Sequence, residues 1–179
     1  DFFNDIIVIC PQTSASGGTH EVNTKLSKLL NPDGQFIPLP HKPYLKPTQP
    51  KPRINDKVML IENMHDEGVM NGDIGKLISV QNNNSGSRDL TVEFSGGQKV
   101  NIPIAKWDKL ILAYAVTCHK SQGMQYPTVI MPFSSQHKNM MEKTLTYTGW
   151  TRAKDKVVCI GDLDMFNLSI KTNKTQQRK

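Results

Sequence analysis

The sequence of 179 residues has little of what a membrane protein, a disulfide-stabilised protein or a zinc protein needs. It has three cysteines, Cys10, Cys118 and Cys159, and none of them forms a Cys-x-x-Cys pair. This spacing argues against a zinc site and a disulfide framework, and it favours a reducing cytoplasm. No apolar run approaches the ~20 residues that cross a bilayer, and no leader pattern is present, so we expect no membrane partner.

The sequence also lacks the phosphate loop of nucleotide hydrolases, Gly-x-x-x-x-Gly-Lys-Ser/Thr, and an acidic pair for Mg²⁺. Gly17-Gly18-Thr19 is not a substitute, because it lacks the lysine and the loop length. We therefore expect this chain alone to hydrolyse no nucleotide. Since the chain starts with Asp1 and not with Met, we also expect it to be a piece of a larger protein.

The net charge of +6 is weak evidence for a nucleic-acid partner. Four cations lie in the polar tail 171–179, which contains no acidic residue and which we predict to be disordered. Without Lys171, Lys174, Arg178 and Lys179 the charge falls from +6 to +2. Only the local placement of cations can support nucleic-acid binding.

Alternating strand and helix patterns predict an α/β domain with a mostly parallel sheet. The predicted strands are Ile6 to Cys10, Leu110 to Val116, Val129 to Phe133 and Val157 to Ile160. The predicted helices are His20 to Leu30, about Lys138 to Trp150, and Leu163 to Leu168.

The middle of the chain differs from the rest in its proline content and in its pattern of short strands. Seven of the eleven prolines lie between Pro32 and Pro52, which predicts an extended connector over the surface. From Arg53 to Lys106 short alternating strands are separated by turn residues. Strands this short must curl on themselves to bury one face, so this pattern predicts a small antiparallel barrel inserted in the α/β domain.

A polar cluster follows the predicted strand that ends at Val116. Thr117-Cys-His-Lys-Ser-Gln-Gly123 provides hydroxyl, imidazole, ammonium and amide donors. Ligands bind at the carboxyl ends of strands in open α/β sheets, and these donors suit phosphate oxygens. For His119 taken alone, a satisfied core histidine is the simpler interpretation.

Four blocks of this sequence resemble RecD-like superfamily 1 DNA helicases, in that family's order. Thr117 to Gly123 resembles motif V, and Leu145 to Lys156 resembles motif VI with its Thr-Arg-Ala. The other two blocks are Asp5 to Gln12, continued by Asn23 and Leu29 to Pro32, which resembles the motif IV region, and Asp56 to Met59 with Asn71 to Gly75, which resembles the family's insert.

The resemblance implies a RecA-like (P-loop NTPase-type) domain, called 2A, over 1–52 and 107–170. It implies an SH3-like barrel, called 2B, over 53–106. The tail 171–179 lies outside both.

The resemblance also implies roles for single residues. Arg152 would be the arginine finger, which stabilises charge on the transferred phosphoryl group. The implied nucleotide-binding residues are Gln122, Gly123, Gln125, Thr151 and Arg152. The implied DNA-binding residues are Thr117, His119, Lys120 and Ser121. If Arg152 is considered alone, capping of a helix C-terminus explains it as well.

Two positions depart from the family's pattern. Gln125 stands where the family usually has Glu, and Thr13-Ser14 stands where it commonly has an aromatic residue followed by Arg or Lys.

By resemblance, the parent protein is an ATP-dependent DNA helicase that moves 5′ to 3′ on single-stranded DNA in repair or recombination. ATP and Mg²⁺ would be bound mainly by an N-terminal RecA-like domain of the same parent chain. The alternatives are a helicase-like DNA-binding scaffold without hydrolysis, the helicase part of a conjugative relaxase, and a protein-interaction module centred on the barrel.

Overall fold

The computed structural model describes residues 2–14, 16–44, 49–83 and 86–172. Within these ranges the chain forms nine strands and three α-helices. The strands are β1 (Ile6–Cys10), β2 (Lys57–Leu60), β3 (Ile74–Asn82), β4 (Arg88–Phe94), β5 (Lys99–Pro103), β6 (Leu110–Leu112), β7 (Ala115–Thr117), β8 (Tyr126–Phe133) and β9 (Ala153–Gly161). The helices are α1 (Thr19–Leu30), α2 (Lys143–Trp150) and α3 (Leu163–Lys171), and 3₁₀ turns cover His65–Glu67, Ile104–Lys109 and Ser135–Met140.

The chain divides into two compact units. One comprises Asp1–Val22 and Tyr114–Lys179, and the other is Asn23–Ala113. The observed divisions therefore fall after residues 22 and 113, whereas the sequence predicts them after residues 52 and 106. The proline-rich connector and the last eight of the twelve residues of α1 belong to the inner unit.

The first unit contains a four-stranded parallel sheet in the order β7-β1-β8-β9. The central strand β1 pairs with β7 through Cys10 and Thr117, and with β8 through Ile6 and Thr128. Its residues Ile7 to Cys10 are buried, as their β-branched, apolar character predicts. The mixed α/β class with a parallel sheet is confirmed.

The predicted strand from Leu110 to Val116 is wrong, because two strands of different sheets share this run. β6 pairs with β2, and the Ala113 amide donates to the Lys57 carbonyl within the inner unit. In the first unit, the Val8 amide donates to the Tyr114 carbonyl and β7 follows. Both sheets bury their strands, so the apolar run continues across the change of sheet and the sequence shows no break.

The inner unit contains a five-stranded antiparallel sheet in the order β5-β4-β3-β2-β6. Its core includes Leu77, Leu90, Ile102 and Trp107. The edge strands β5 and β6 each pair with one neighbour, so the sheet is open and the predicted SH3-like barrel is not confirmed. Alternating strands predict one buried face, but they do not determine whether the edges meet.

The proline-rich connector is fixed to the inner unit. Trp107 Nε1 donates to the Pro40 carbonyl at 2.9 Å. The Tyr44 hydroxyl donates to Asp108 Oδ2 at 2.9 Å, and Lys42 Nζ lies 3.3 Å from Asp108 Oδ1. Burial raises the pKa of Asp108, but the hydrogen bonds from Tyr44 and Lys42 outweigh it and hold this pKa below its usual value.

The predicted helix from Lys138 to Trp150 is also wrong in its first half. The 3₁₀ turn Ser135–Met140 ends before Glu142. Glu142 has an extended backbone (φ −150°), and it separates this turn from α2. At the other end of the unit, α3 extends to Lys171, and the Thr172 carbonyl accepts from the Lys143 amide, so these two residues of the predicted tail are ordered. Residues 173–179 lie outside the described residues.

Asp108→Asn tests the anchoring of the connector. A carboxylate with a depressed pKa in the folded state stabilises the fold above its unfolded pKa, and this contribution disappears as the pH falls through the folded value. We expect the variant to lose about 1 kcal/mol of unfolding free energy at pH 7, and the difference from wild type to shrink once the pH falls below about 4.

Urea unfolding at pH 7 and pH 3 measures this difference, and the control is Asp66→Asn, which changes an exposed carboxylate in the 3₁₀ turn His65–Glu67. An Asp108→Asn deficit of equal size at both pH values would show that the charge does not anchor the connector.

Candidate nucleotide and nucleic-acid site

The segment from Cys118 to Gln125 connects the two ends of the parallel sheet. Thr117, the last residue of β7, lies beside Cys10 at the carboxyl end of β1. Tyr126 opens β8, which runs parallel to β7 on the other side of β1. The chain must therefore cross from the carboxyl edge of the sheet to its amino edge within these eight residues.

Backbone hydrogen bonds fold this segment into consecutive turns. The Ser121 amide donates to the Thr117 carbonyl at 3.0 Å, and the Gln122 amide donates to the His119 carbonyl at 3.3 Å. The Met124 amide then donates to the Ser121 carbonyl at 3.1 Å. Gly123 has a φ of +82°, which permits the change of direction that a side chain would disfavour.

The four predicted DNA-binding residues differ in their access to a ligand. His119 and Lys120 are exposed, and Thr117 is half-buried with its Oγ1 accepting from the Lys120 amide at 3.4 Å. Partial desolvation lowers the pKa of Lys120. Ser121 is buried and its hydroxyl donates to the Cys118 carbonyl at 2.7 Å, so this residue supports the turn. Its predicted contact with DNA stays a prediction.

Arg152 connects the end of α2 to the segment from Cys118 to Gln125, which we call the crossing segment. Its Nε donates to the Thr148 carbonyl at 3.2 Å and its Nη2 donates to Thr151 Oγ1 at 3.1 Å. Its Nη1 donates to the Met124 carbonyl at 3.5 Å. The contact with Thr148 is the helix-capping contact that its sequence position also predicts, and the contact with Met124 goes beyond it.

Gln125 lies beside Arg152, because both neighbours of Gln125 bind that arginine. The Met124 carbonyl accepts from the Arg152 guanidinium, and the Tyr126 amide donates to the Arg152 carbonyl at 2.9 Å. The structure thus brings together Gln125, Thr151 and Arg152. Gln122 and Gly123 are exposed on the preceding turn.

Gln122 and His119 line a pocket of about 330 Å³ within the first unit. The other wall comes from the 3₁₀ turn Ser135–Met140 and from the first residues of α2, through Met140, Glu142 and Leu145. Met140 and Glu142 belong to no motif and lie about twenty positions from motif V, and nothing in the motif VI block predicts that Leu145 lines a pocket. An acidic residue just before a helix is an ordinary sequence feature and gives no signal of a pocket.

The loop between β1 and α1 is not arranged as a phosphate loop. The Gly17 amide, which precedes the helix, donates to Glu21 Oε2 at 2.8 Å, so a carboxylate already satisfies this donor. Thr13 and Ser14 are exposed, and neither provides a cation.

The described residues contain neither a metal-binding cluster nor a helix that could cross a membrane. No group of three or more His, Cys, Asp or Glu side chains within the described ranges is arranged to hold a metal ion. Among the described helices, none is long and apolar enough to cross a membrane.

Residues 112–160 match the UvrD-like helicase C-terminal domain family. The chain is 27% identical over 162 residues to the ATP-dependent RecD2 DNA helicase of Deinococcus radiodurans, which covers 90% of this chain and 21% of that protein. It is 26% identical over 124 residues to the RecBCD enzyme subunit RecD of Haemophilus influenzae, which covers 69% of this chain and 18% of that subunit. The chain therefore spans about a fifth of the length of these relatives.

Solved structures of Pif1 helicases share the fold. A Bacteroides Pif1 helicase in complex with ADP-AlF3 and ssDNA aligns over 99% of this chain and 44% of its own, with a TM-score of 0.63 and 20% identity. Pif1 helicase from Candida albicans aligns over 98% of this chain and 48% of its own, with a TM-score of 0.63 and 16% identity.

The motif V and motif VI region lies within the residues that match the UvrD-like helicase C-terminal domain family. The chain is similar to RecD and RecD2 helicases, as its four sequence blocks predict, and it shares the fold of Pif1 helicases.

The three thiols should differ in reactivity. Burial raises the pKa of Cys10 to about 12, and burial likewise raises that of Cys118, whose Sγ donates to the Leu145 carbonyl. Partial burial also raises the pKa of Cys159, but this thiol is the exposed one, on the edge strand β9. Because thiolate and access both control labelling, we expect one fast-reacting thiol at pH 8 and three after unfolding.

Maleimide labelling followed by mass spectrometry counts these thiols, and Cys159→Ser should remove the fast phase. A fast phase that persists in Cys159→Ser would show that the fold opens and exposes Cys10 or Cys118, and the labelled peptide identifies which.

Proposed function

We propose that this chain is the C-terminal motor domain of an ATP-dependent DNA helicase, and that it supplies an arginine finger and part of the track for single-stranded DNA. The observation that carries the proposal is the crossing segment 118–125. It starts beside Thr117 at one edge of the parallel sheet and ends beside Arg152 at the other.

The guanidinium of Arg152 has N–H groups beyond those used in its described contacts, and these can bind a phosphate. A guanidinium has five N–H groups, and the described contacts to Thr148, Thr151 and Met124 use three of them. One N–H remains on each terminal nitrogen, which suits the bidentate geometry of a phosphoryl group. The three contacts hold the guanidinium in place, so little reorganisation is needed when charge develops on the γ-phosphate.

The other edge of the sheet offers groups for a nucleic-acid backbone. The ammonium of Lys120 and the imidazole of His119 are accessible, and the Thr117 hydroxyl can donate while its oxygen accepts from the Lys120 amide. Contacts of this kind bind phosphates and fix register without reading sequence. Movement of this turn on DNA binding would reach Arg152 through Met124.

We propose that ATP and Mg²⁺ are bound mainly by an N-terminal RecA-like domain of the same parent chain. The described residues of this chain offer no metal-binding group of His, Cys, Asp or Glu, and in the loop after β1 the Gly17 amide already donates to Glu21. What this chain would add is the guanidinium and, from Gln125, an amide that can hydrogen-bond a ribose hydroxyl. By resemblance, the parent moves 5′ to 3′ on single strands in cytoplasmic DNA repair or recombination.

A scaffold that binds DNA without hydrolysing ATP is the second candidate. It is favoured by Gln125 in place of an acidic residue and by Thr13-Ser14, which provide no cation at the motif IV position. The extended contacts of Arg152 favour the motor.

Arg152→Lys in the full-length parent distinguishes the two candidates. Lysine keeps the charge but loses the planar fork, so the maximal rate of DNA-stimulated ATP hydrolysis should fall by roughly 10² or more, with single-stranded DNA affinity nearly unchanged. Steady-state kinetics and fluorescence anisotropy measure the two quantities.

Lys154→Ala, which removes an exposed cation two positions away on β9, is the matched control and should hydrolyse ATP normally. Unchanged hydrolysis in Arg152→Lys would refute the finger. A large loss of thermal stability in that variant would show instead that Arg152 serves the fold.

A further inference from the structure

The pocket beside motif V differs chemically from a phosphate site. Its lining includes no lysine or arginine, and its one charged residue is Glu142. A carboxylate repels phosphate, so the cations that hold a nucleic-acid backbone must act outside this pocket. Lys120, one residue beyond the lining residue His119, is in position to do so.

The walls of the pocket suit a flat, uncharged ring with polar edges. Pro11, Met140 and Leu145 provide apolar surface, while Gln122 and Glu142 provide hydrogen-bonding groups. A nucleobase has apolar faces and hydrogen-bonding edges. The pocket opens next to the turn that is proposed to contact the DNA backbone, so a base attached to that backbone is the nearest ring of this kind.

Glu142 is the residue best placed to select among bases. It precedes the first residue of α2, its backbone is extended, and its side chain makes no capping hydrogen bond to the helix. It is half-buried at the pocket wall. An ionised carboxylate only accepts hydrogen bonds, so it favours a base edge that carries an amino group over one that carries a carbonyl.

We propose that this pocket takes one nucleobase of the bound single strand and that Glu142 accepts a hydrogen bond from its exocyclic amino group. The proposal rests on the proposed function, since a single strand must first bind along motif V. It adds a base-selective contact to a domain whose other proposed contacts are to the backbone. Cytosine, adenine and guanine each carry an exocyclic amino group that can donate to the carboxylate, whereas uracil and thymine carry carbonyl oxygens and no amino group.

The test compares oligo-dC with oligo-dU of equal length on the full-length protein. Both bases are single-ring pyrimidines that stack weakly, and at position 4 one has an amino group and the other a carbonyl. Fluorescence anisotropy should show oligo-dC binding about five to a hundred times more tightly than oligo-dU. Glu142→Gln should bring this ratio close to one, because a glutamine amide can also donate to the uracil carbonyl.

Glu142→Ala is a second variant that removes the acceptor without adding a donor, and it should also abolish the preference. Both variants also lose a negative charge, and this electrostatic effect acts on both oligonucleotides alike, so the ratio of the two affinities is the informative quantity. Lys120→Ala is the matched control: it should weaken oligo-dC and oligo-dU alike and leave the ratio unchanged. Thermal melting establishes that each variant is folded.

Three results are decisive in different ways. A wild-type preference for oligo-dC that both Glu142 variants abolish supports the base pocket. Equal binding of the two oligonucleotides, with Lys120→Ala still weakening both, overturns the base pocket and leaves the proposed DNA track standing. No binding of either oligonucleotide by the wild-type protein overturns the proposed function itself.

Discussion

The constraint on which the site depends is the parallel order β7-β1-β8 of the first sheet. Parallel strands of one sheet cannot be joined by a tight hairpin, so the chain that leaves β7 at the carboxyl edge must return to the amino edge before β8 begins on the other side of β1. Here the return takes only the eight residues from Cys118 to Gln125. Polar residues are consequently displayed along the whole height of the sheet by one short segment, whose shape is set by backbone hydrogen bonds and the buried Ser121 hydroxyl.

Helix α2 gives the two ends of this segment a common support. Its start contributes Glu142 and Leu145 to the pocket beside His119, and its end is bound by Arg152. Eight helical residues extend about 12 Å, so the proposed base contact and the proposed phosphate contact are held by one rigid element. A shift of α2 would move both together. Under the proposed function, such a shift would couple the binding of a strand to the position of the Arg152 guanidinium.

The parts of the fold that could be predicted from sequence are those in which local pattern and tertiary role agree. The run Ile6–Cys10 is β-branched and buried on both faces, and the polar cluster after Val116 lies at a strand end, as expected. The change of sheet near Ala113 could not be predicted, because both sheets require apolar residues there. The pocket escaped prediction for a related reason: Glu142 acquires its place only when the 3₁₀ turn and α2 fold against motif V. The position of Arg152 was implied by resemblance, while its contact with Met124 required the tertiary structure.

The central claim is that Arg152 is an arginine finger. The most direct test is the affinity of the full-length protein for ADP with and without aluminium fluoride, which mimics the phosphoryl group in the transition state of its transfer. If Arg152 stabilises developing charge, wild type should bind ADP–aluminium fluoride far more tightly than ADP in the presence of single-stranded DNA, and Arg152→Ala should lose this gain while binding ADP as before. Equal tightening by aluminium fluoride in wild type and in Arg152→Ala would contradict the account.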